Sequence, residues 1–155
     1  MTADPIQIVP FASRHADAWR SLNEAWIERF FAIEPKDREA LDDPQGKIIS
    51  KGGLIFIAER QGEPIGCAAL LKMDDGGFEL AKMAVADHAK GGGIGRKLIQ
   101  ACIDAARAAG AHRVYLESNS ALAPALNLYR SAGFVDLPAQ ATPYARCDVW
   151  MELRF

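Results

Sequence analysis

The fold is decided by the stretch Glu79-Leu-Ala-Lys-Met-Ala-Val85, which continues through Ala86-Asp-His-Ala89 into Lys90-Gly-Gly-Gly-Ile-Gly-Arg-Lys-Leu98. This order predicts a strand, a short polar connection, a glycine cluster and an amphipathic helix. Glycines at a helix start leave several backbone N–H groups unpaired and uncrowded, next to the positive end of the helix dipole. The stretch therefore predicts a site for an anion such as phosphate.

The size and charge of the chain restrict its class. A length of 155 residues suits one compact domain, and we predict a single domain over residues 1–155. The net charge is −2 and the isoelectric point about 5.9, so no overall field favours nucleic acid or an acidic membrane surface. We expect neither as a partner.

Three cysteines, Cys67, Cys102 and Cys147, are far apart in the sequence and have no clustered histidines beside them. Their odd number and apolar surroundings predict reduced core residues, and we expect no metal site. The chain shows no signal peptide and no apolar run long enough to span a bilayer. These features predict a cytoplasmic protein.

The first half of the chain combines helices with the start of a sheet. Residues 6–9 predict an opening strand, and apolar residues at helical spacing from Ala16 to Phe30 predict a helix, with Ser13 as its N-cap. Pro35 ends that helix, and a shorter one is expected over residues 38–41, with another turn near Ile48. Strands over residues 54–58 and 65–72 then lead through short turns to the strand quoted above, which makes an antiparallel meander.

The second half predicts a parallel crossover. The helix after Gly95 ends at Gly110, and the strand that follows, residues 113–117, is expected to run parallel to the strand before the helix. Another helix from Pro124 to Gly133 precedes two closing strands. The predicted fold class is α/β (α+β): a mixed, mostly antiparallel sheet with flanking helices and a parallel pair of central strands.

Known phosphate-binding motifs fit the glycine cluster poorly. A Walker loop requires lysine followed by Ser or Thr at a fixed distance after its first glycine, and the cluster lacks that pair. A dinucleotide fingerprint requires a small residue where Leu98 stands. When the glycine cluster is considered alone, the alternative that it only forms a tight turn is still open.

A wider pattern resolves this choice. The motif Lys90-x-x-Gly93-x-Gly95 resembles the Arg/Gln-x-x-Gly-x-Gly/Ala motif of the GCN5-related N-acetyltransferase (GNAT) superfamily. The later motif Leu126-x-Leu128-Tyr129-x-x-x-Gly133-Phe134 resembles the family helix that carries a tyrosine and ends in Gly-Phe. The resemblance covers essentially the whole chain, and it implies that the loop amides hold the pyrophosphate of acetyl-coenzyme A.

The resemblance also implies the rest of the cofactor site, with two departures from the family pattern. Lys90 replaces the usual arginine or glutamine, and Leu122 stands where the family often has an asparagine, so Asn119 or backbone is expected to contact the pantetheine arm. A bulge in the strand is expected to free an amide for the thioester oxygen. The implied cofactor-binding residues are Met83, Ala84, Val85, Lys90, Gly91, Gly92, Gly93, Ile94, Gly95, Arg96 and Asn119.

The resemblance further implies two catalytic residues. Glu79 has the spacing of the family's general base, which takes a proton from the amine directly or through a water. Tyr129 corresponds to the tyrosine that protonates the leaving thiolate, with Tyr115 as a weaker alternative. Strand alternation predicts Lys82 on the face opposite Glu79, where it pairs with a neighbour or reaches solvent.

The residues of the acceptor pocket are predicted from their positions in the sequence relative to family members. Regions that line acceptor pockets in relatives correspond here to Trp26, Phe30, Phe31, Glu34, Tyr144 and Arg146. Glu34 would suit a cationic acceptor and Arg146 a carboxylate. The resemblance implies an acetyl-coenzyme A-dependent N-acetyltransferase that acts on the primary amine of a small molecule or amino-acid-like acceptor in a ternary complex. Acetylation of protein lysines or N-termini, and a non-catalytic acyl-coenzyme A-binding module, are the alternatives. A homodimer is expected because relatives often form one.

Overall fold

A seven-stranded sheet with helices on both faces forms the molecule; the computed structural model describes residues 5–155. The strands are β1 Ile6–Pro10, β2 Leu54–Arg60, β3 Glu63–Lys72, β4 Phe78–Val85, β5 Arg113–Ser118, β6 Val135–Leu137 and β7 Val149–Arg154. The helices are α1 Ala16–Phe30, α2 Pro35–Asp42, α3 Pro44–Lys47, α4 Ile94–Ala108 and α5 Ala123–Ser131.

The strand order is β1-β2-β3-β4-β5-β7-β6, and only the neighbours β4 and β5 run parallel. The predicted fold class is therefore confirmed, including the meander and the central parallel pair. Helix α4 connects β4 to β5, because a parallel connection needs a crossover segment of this length.

Two apolar cores lie on the two faces of the sheet. Leu98 and Cys102 of α4 belong to one core, and Trp19 of α1 and Leu41 of α2 belong to the other. All three cysteines are free. Cys67 and Cys102 are buried, as predicted, but Cys147 is partly exposed, so the core prediction is wrong for this one residue.

Two helix starts differ from the predictions. A short 3-10 turn, Ser13–His15, precedes α1, and His15 rather than Ser13 stands at the cap position. Helix α2 begins at Pro35, earlier than the predicted start at residue 38. Proline suits a first helical position because its missing N–H would have no partner there.

Strand β4 contains the predicted bulge. Ala81 pairs with Ala69 and Ala84 with Cys67, so two residues of β4 stand opposite one residue of β3. Lys82 takes the left-handed backbone conformation, with φ 55°. The bulge interrupts the side-chain alternation, so the prediction that Lys82 lies on the face opposite Glu79 is wrong.

Strands β4 and β5 separate beyond the middle of the sheet. They pair only at Phe78, Glu79 and Leu80 of β4, although both strands continue further. Within the described part of the chain, the edge of β4 that faces β5 therefore has no strand partner after Leu80. In residues 5–155 no helix is both long enough and apolar enough to cross a membrane.

Candidate active site

A large cavity of about 500 Å³ opens where β4 and β5 separate. The bulged half of β4 forms one wall, the glycine loop and the start of α4 form the base, and α5 forms the opposite wall. Most of the predicted cofactor-binding residues line it: Met83, Ala84, Val85, Lys90, Gly91, Gly93, Ile94, Gly95 and Arg96. Gly92 lies in the same loop but outside this lining.

Glycines give the loop its shape. Gly91 has φ 88°, and Gly93, which caps the start of α4, has φ 74°. Side chains rarely adopt this left-handed conformation, and glycine does so freely. At Gly95 a Cβ atom would come within 3.1 Å of Leu128, so glycine also lets α4 and α5 approach each other. The result is an exposed helix start suited to an anion.

Cations surround this loop. Lys90 pairs with Asp87 at 3.1 Å, and Arg29 of α1 also binds Asp87. Arg96 donates a hydrogen bond of 3.3 Å to Ser131. Sequence reasoning missed Arg60, whose guanidinium lies beside the loop, 3.7 Å from where a Cβ of Gly92 would stand. All of these partners are exposed or half-buried, so the side chains can turn toward a phosphate at low cost.

A small cavity of about 130 Å³ adjoins the large one. The two share Trp26, Met83, Leu122 and Ala125. The small cavity brings together most of the predicted catalytic and acceptor residues: Glu79, Tyr129, Trp26, Phe31, Tyr144 and Arg146. These come from α1 and the residue that follows it, from β4, from α5 and from the loop before β7, which explains why no local motif contains them.

Three predicted site residues lie elsewhere. Phe30 lines the large cavity instead of the small one. Asn119 lines the small cavity, and its side-chain amide donates to the carbonyl of Arg146 at 2.6 Å. Glu34 lines neither cavity; it accepts hydrogen bonds from Arg146 at 3.2 Å and from the N–H of Ala145 at 3.1 Å. Glu34 and Asn119 thus hold the loop that carries Tyr144.

The environment of Glu79 favours its protonated form. Burial first, and then the negative charge of Glu117, raise the pKa of Glu79 from 4.5 to about 7, although Lys82 and Lys36 oppose the shift. Glu117 is held in place by Tyr115, which donates to it at 2.7 Å, and by Thr142 at 2.6 Å. A carboxyl group with a pKa near neutrality can exchange a proton with a bound amine.

Tyr129 has an apolar environment. Its ring packs against Phe134 with centroids 6.0 Å apart, and burial raises the pKa of its hydroxyl to about 12. The hydroxyl therefore keeps its proton throughout the neutral range, and Tyr129 lines the small cavity. Tyr115, the alternative, already donates to Glu117, so its proton is engaged.

An ion-pair network under the small cavity is centred on Asp37, which is fully buried. Arg146 donates to both carboxylate oxygens at 2.7 Å each, and Lys82 donates to one of them at 2.6 Å. Lys82 also donates to the hydroxyl of Tyr144 at 3.0 Å, and the Tyr144 ring lies 4.6 Å from both cationic groups. Arg146 is therefore engaged with protein carboxylates.

Asp37 was missed by sequence reasoning. Its burial alone would raise its pKa, but the hydrogen bonds from Arg146 and Lys82 outweigh burial and lower the pKa to about 2. Its carboxylate also accepts the N–H of Glu34 at 2.9 Å, three residues earlier, at the start of α2. An acidic residue two positions after Pro35 is a helix-start signal that the sequence contains and that points to this capping role.

Comparison with known proteins assigns the family. The model of the Acetyltransferase (GNAT) family matches residues 18–134, which is more than half of the chain. The chain belongs to the GNAT family. Acetyl-coenzyme A is the acyl donor of GNAT acetyltransferases, and the loop and large cavity described above fit such a donor.

Individual relatives agree with this assignment. The IAA acetyltransferase of Azospirillum brasilense is 41% identical over 82 residues, which cover 52% of this chain and 54% of that protein. The chain thus spans about half the length of this curated relative.

Two solved structures share the GNAT fold. A GNAT acetyltransferase from Staphylococcus aureus Mu50 superimposes with a TM-score of 0.87 at 18% identity, covering 97% of this chain and 99% of that one. A putative acetyltransferase from Salmonella typhimurium, solved with its cofactor acetyl-CoA, gives 0.75 at 21% identity, covering 97% and 94%. At these identities the likeness establishes the fold alone.

The raised pKa of Glu79 predicts a specific pH dependence of stability. Because the native state binds this proton more tightly than the unfolded chain, the stability that Glu79 contributes is fully present below about pH 4.5 and is lost as the pH rises through about 7. Glu79→Gln is expected to be more stable than wild type at pH 8, by up to roughly 3 kcal/mol, and equally stable near pH 4.5. Urea unfolding followed by tryptophan fluorescence measures this. Glu28→Gln, at an exposed position of α1, is the control; parallel pH curves for Glu79→Gln and wild type would refute the shift.

Removing the charge of Asp37 is expected to destabilise the fold. Asp37→Asn leaves Lys82, which is only 6% exposed, without a carboxylate and removes the partner that Arg146 binds with two nitrogens, so we expect a loss of about 3–5 kcal/mol. Asp42→Asn, at the exposed end of the same helix, should cost less than about 1 kcal/mol. Equilibrium unfolding in urea compares the two variants, and similar losses would contradict the central role of Asp37.

Proposed function

We propose that this GNAT protein transfers the acetyl group of acetyl-coenzyme A to the primary amine of a small-molecule or amino-acid-like acceptor, by direct attack in a ternary complex. One observation carries the proposal. Glu79, a carboxyl group with a pKa near neutrality, and Tyr129, a hydroxyl that keeps its proton at neutral pH, line the same small cavity, and that cavity shares Met83 with the large one.

The donor would occupy the large cavity. Its pyrophosphate suits the unpaired N–H groups at Gly93 and the start of α4, with Lys90 and Arg96 as nearby cations. Its pantetheine arm suits the edge of β4 that has no strand partner after Leu80. The thioester then lies near the bulge, where an amide can polarise its carbonyl. Leu122 provides an apolar contact here in place of the family asparagine.

The acceptor amine must lose a proton before it attacks. For an amine with pKa ~10.4, the neutral form at pH 7 costs ~4.6 kcal/mol, part of which a positioned base recovers. Glu79 suits this role because its pKa lies near 7. The amine nitrogen forms a bond to the acetyl carbon, and its proton passes to Glu79 directly or through a water.

Collapse of the tetrahedral intermediate breaks the C–S bond and releases coenzyme A as a thiolate. Tyr129, which is protonated at neutral pH, is suited to donate a proton or a hydrogen bond to that sulfur. Its high pKa makes it a weak acid, so its contribution is greatest while negative charge develops on the sulfur.

The size of the small cavity favours a small acceptor over a protein chain. It measures about 130 Å³ and is bordered by the aromatic residues Trp26, Phe31 and Tyr144. The name of the Azospirillum relative, IAA acetyltransferase, also suggests a small-molecule acceptor. The homodimer and the cytoplasmic location stay predictions.

The decisive experiment follows thiol release from acetyl-coenzyme A across amines, polyamines, amino acids and a lysine peptide. We expect turnover with a small primary amine and a kcat reduced at least about tenfold in Tyr129→Phe, with unchanged donor affinity, since only the proton donor is lost. Tight donor binding without any turnover would favour a binding module. Turnover with the peptide alone would favour protein acetylation.

The pH dependence of the rate tests Glu79 separately. Wild-type kcat/KM should rise with pH through an inflection near 7, because the base acts only when deprotonated. In Glu79→Gln this inflection should disappear, leaving the slower rise that follows deprotonation of the amine itself. Glu28→Gln is the matched control. An inflection that persists in Glu79→Gln would assign the base role to another group.

A further inference from the structure

A second cleft lies beside the small cavity, on the opposite side of Lys82 and Tyr144. It measures about 120 Å³, and its charged lining consists of lysines from α2, α3, the following turn, β3 and β4, together with one glutamate, Glu39. We call it the lysine cleft, and its lysines are Lys36, Lys47, Lys51, Lys72 and Lys82. The whole chain has only seven lysines, so most of them converge here in a protein of net charge −2.

The positive charge of the lysine cleft is largely uncompensated. Lys82 pairs with Asp37, and Lys36 pairs with Glu39 at 3.3 Å, an exposed contact of little strength. Within residues 5–155, Lys47, Lys51 and Lys72 have no carboxylate at ion-pair distance. Like charges held together repel, and a bound oxyanion would relieve that repulsion.

Local packing brings two of these lysines together. Gly52, with φ 93°, follows Lys51, and a Cβ atom at Gly52 would come within 2.7 Å of the Lys72 side chain. The aliphatic part of Lys72 therefore lies directly on the glycine turn that carries Lys51. A larger residue at position 52 would displace the Lys72 side chain.

The lysine cleft adjoins the proposed reacting centre. Lys82 and Tyr144 line both the cleft and the small cavity, and Leu71, which lines the cleft, pairs with Glu79 across the strands. Directly paired residues on neighbouring strands have Cβ atoms about 5 Å apart. The charge of Lys36 also reaches Glu79, where it lowers the pKa. A compact molecule can therefore span from the cleft to Glu79.

From this geometry we infer that the lysine cleft binds an oxyanion group of the acceptor, so that the acceptor is an amine that also carries a phosphate or a carboxylate. The inference rests on the proposed acetyl transfer. It assigns the acid-binding role to the lysine cleft and not to Arg146, which is already held by Asp37 and Glu34. Lysine ammonium groups act as point charges and suit either oxyanion.

The test compares three acceptors that share a three-carbon chain with a terminal primary amine: 3-aminopropanol, β-alanine and 3-aminopropyl phosphate. In the triple variant Lys47→Gln, Lys51→Gln and Lys72→Gln, KM for the preferred acidic acceptor should rise about tenfold or more, with kcat little changed. KM for 3-aminopropanol should stay within about twofold of wild type at fixed ionic strength. The lower KM of β-alanine or of 3-aminopropyl phosphate in wild type identifies the oxyanion as a carboxylate or a phosphate.

The control variant removes three positive charges elsewhere, through Arg20→Gln, Arg107→Gln and Arg130→Gln, and should behave like wild type toward all three acceptors. An equal rise of KM in the control variant would show a general charge effect and overturn the inference. Turnover with KM values unchanged in the lysine variant would also overturn it, while leaving the proposed acetyl transfer intact.

A binding measurement separates this inference from the proposed activity. Titration with inorganic phosphate, followed by the amide resonances of Lys51, Gly52 and Lys72, should show saturable shifts in wild type and none in the triple lysine variant. If no amine is turned over, the proposed function fails, yet such shifts would still support an oxyanion site. Absence of saturable shifts in wild type would overturn that site as well.

Discussion

The geometry of the small cavity depends on one buried carboxylate, Asp37. Four donors, the N–H of Glu34, the ammonium of Lys82 and two nitrogens of Arg146, satisfy its oxygens and make its burial tolerable. It thereby joins the start of α2, the bulge of β4 and the loop before β7. The left-handed backbone of Lys82 costs about 1–3 kcal/mol, which the ion pair can offset. Without Asp37, Lys82 would have no carboxylate partner and Arg146 would keep only Glu34, and the three segments would lose their common anchor.

Two carboxylates near this cavity experience opposite environments. Asp37 receives hydrogen bonds from two cations and keeps its charge, whereas Glu79 lies beside Glu117 and its pKa rises to about 7. The same residue chemistry thus provides a permanent structural anion and a group poised to exchange protons. Lys82 and Arg146 both pair directly with Asp37. The pKa of Glu79 therefore stays raised although cations lie near the cavity.

The sequence predicted those features that rest on local periodicity. The meander, the helix after the glycine cluster and the parallel crossover follow from spacing and turn residues, and the GNAT motifs pointed to the loop and to Tyr129, which line the large and the small cavity respectively. Features that rest on distant pairing were not predictable. Lys82 was placed on the wrong face because one inserted residue reverses the alternation, and Asp37 meets Arg146 across more than a hundred residues. The lysine cleft was not predictable for the same reason, since its lysines are spread along the sequence from α2 to β4.

The separation of β4 from β5 gives the sheet an edge in its own interior. Main-chain donors and acceptors beyond Leu80 are available to any extended molecule that carries amides, which can join the sheet as a further strand would. Recognition of this kind depends on the spacing of main-chain hydrogen-bonding groups and is insensitive to side-chain substitution. Such binding also makes the stability of the native state depend on ligand concentration, because a ligand that binds only the native state stabilises it by mass action. The resistance of this chain to heat and proteolysis should therefore follow the concentration of acyl donor around it.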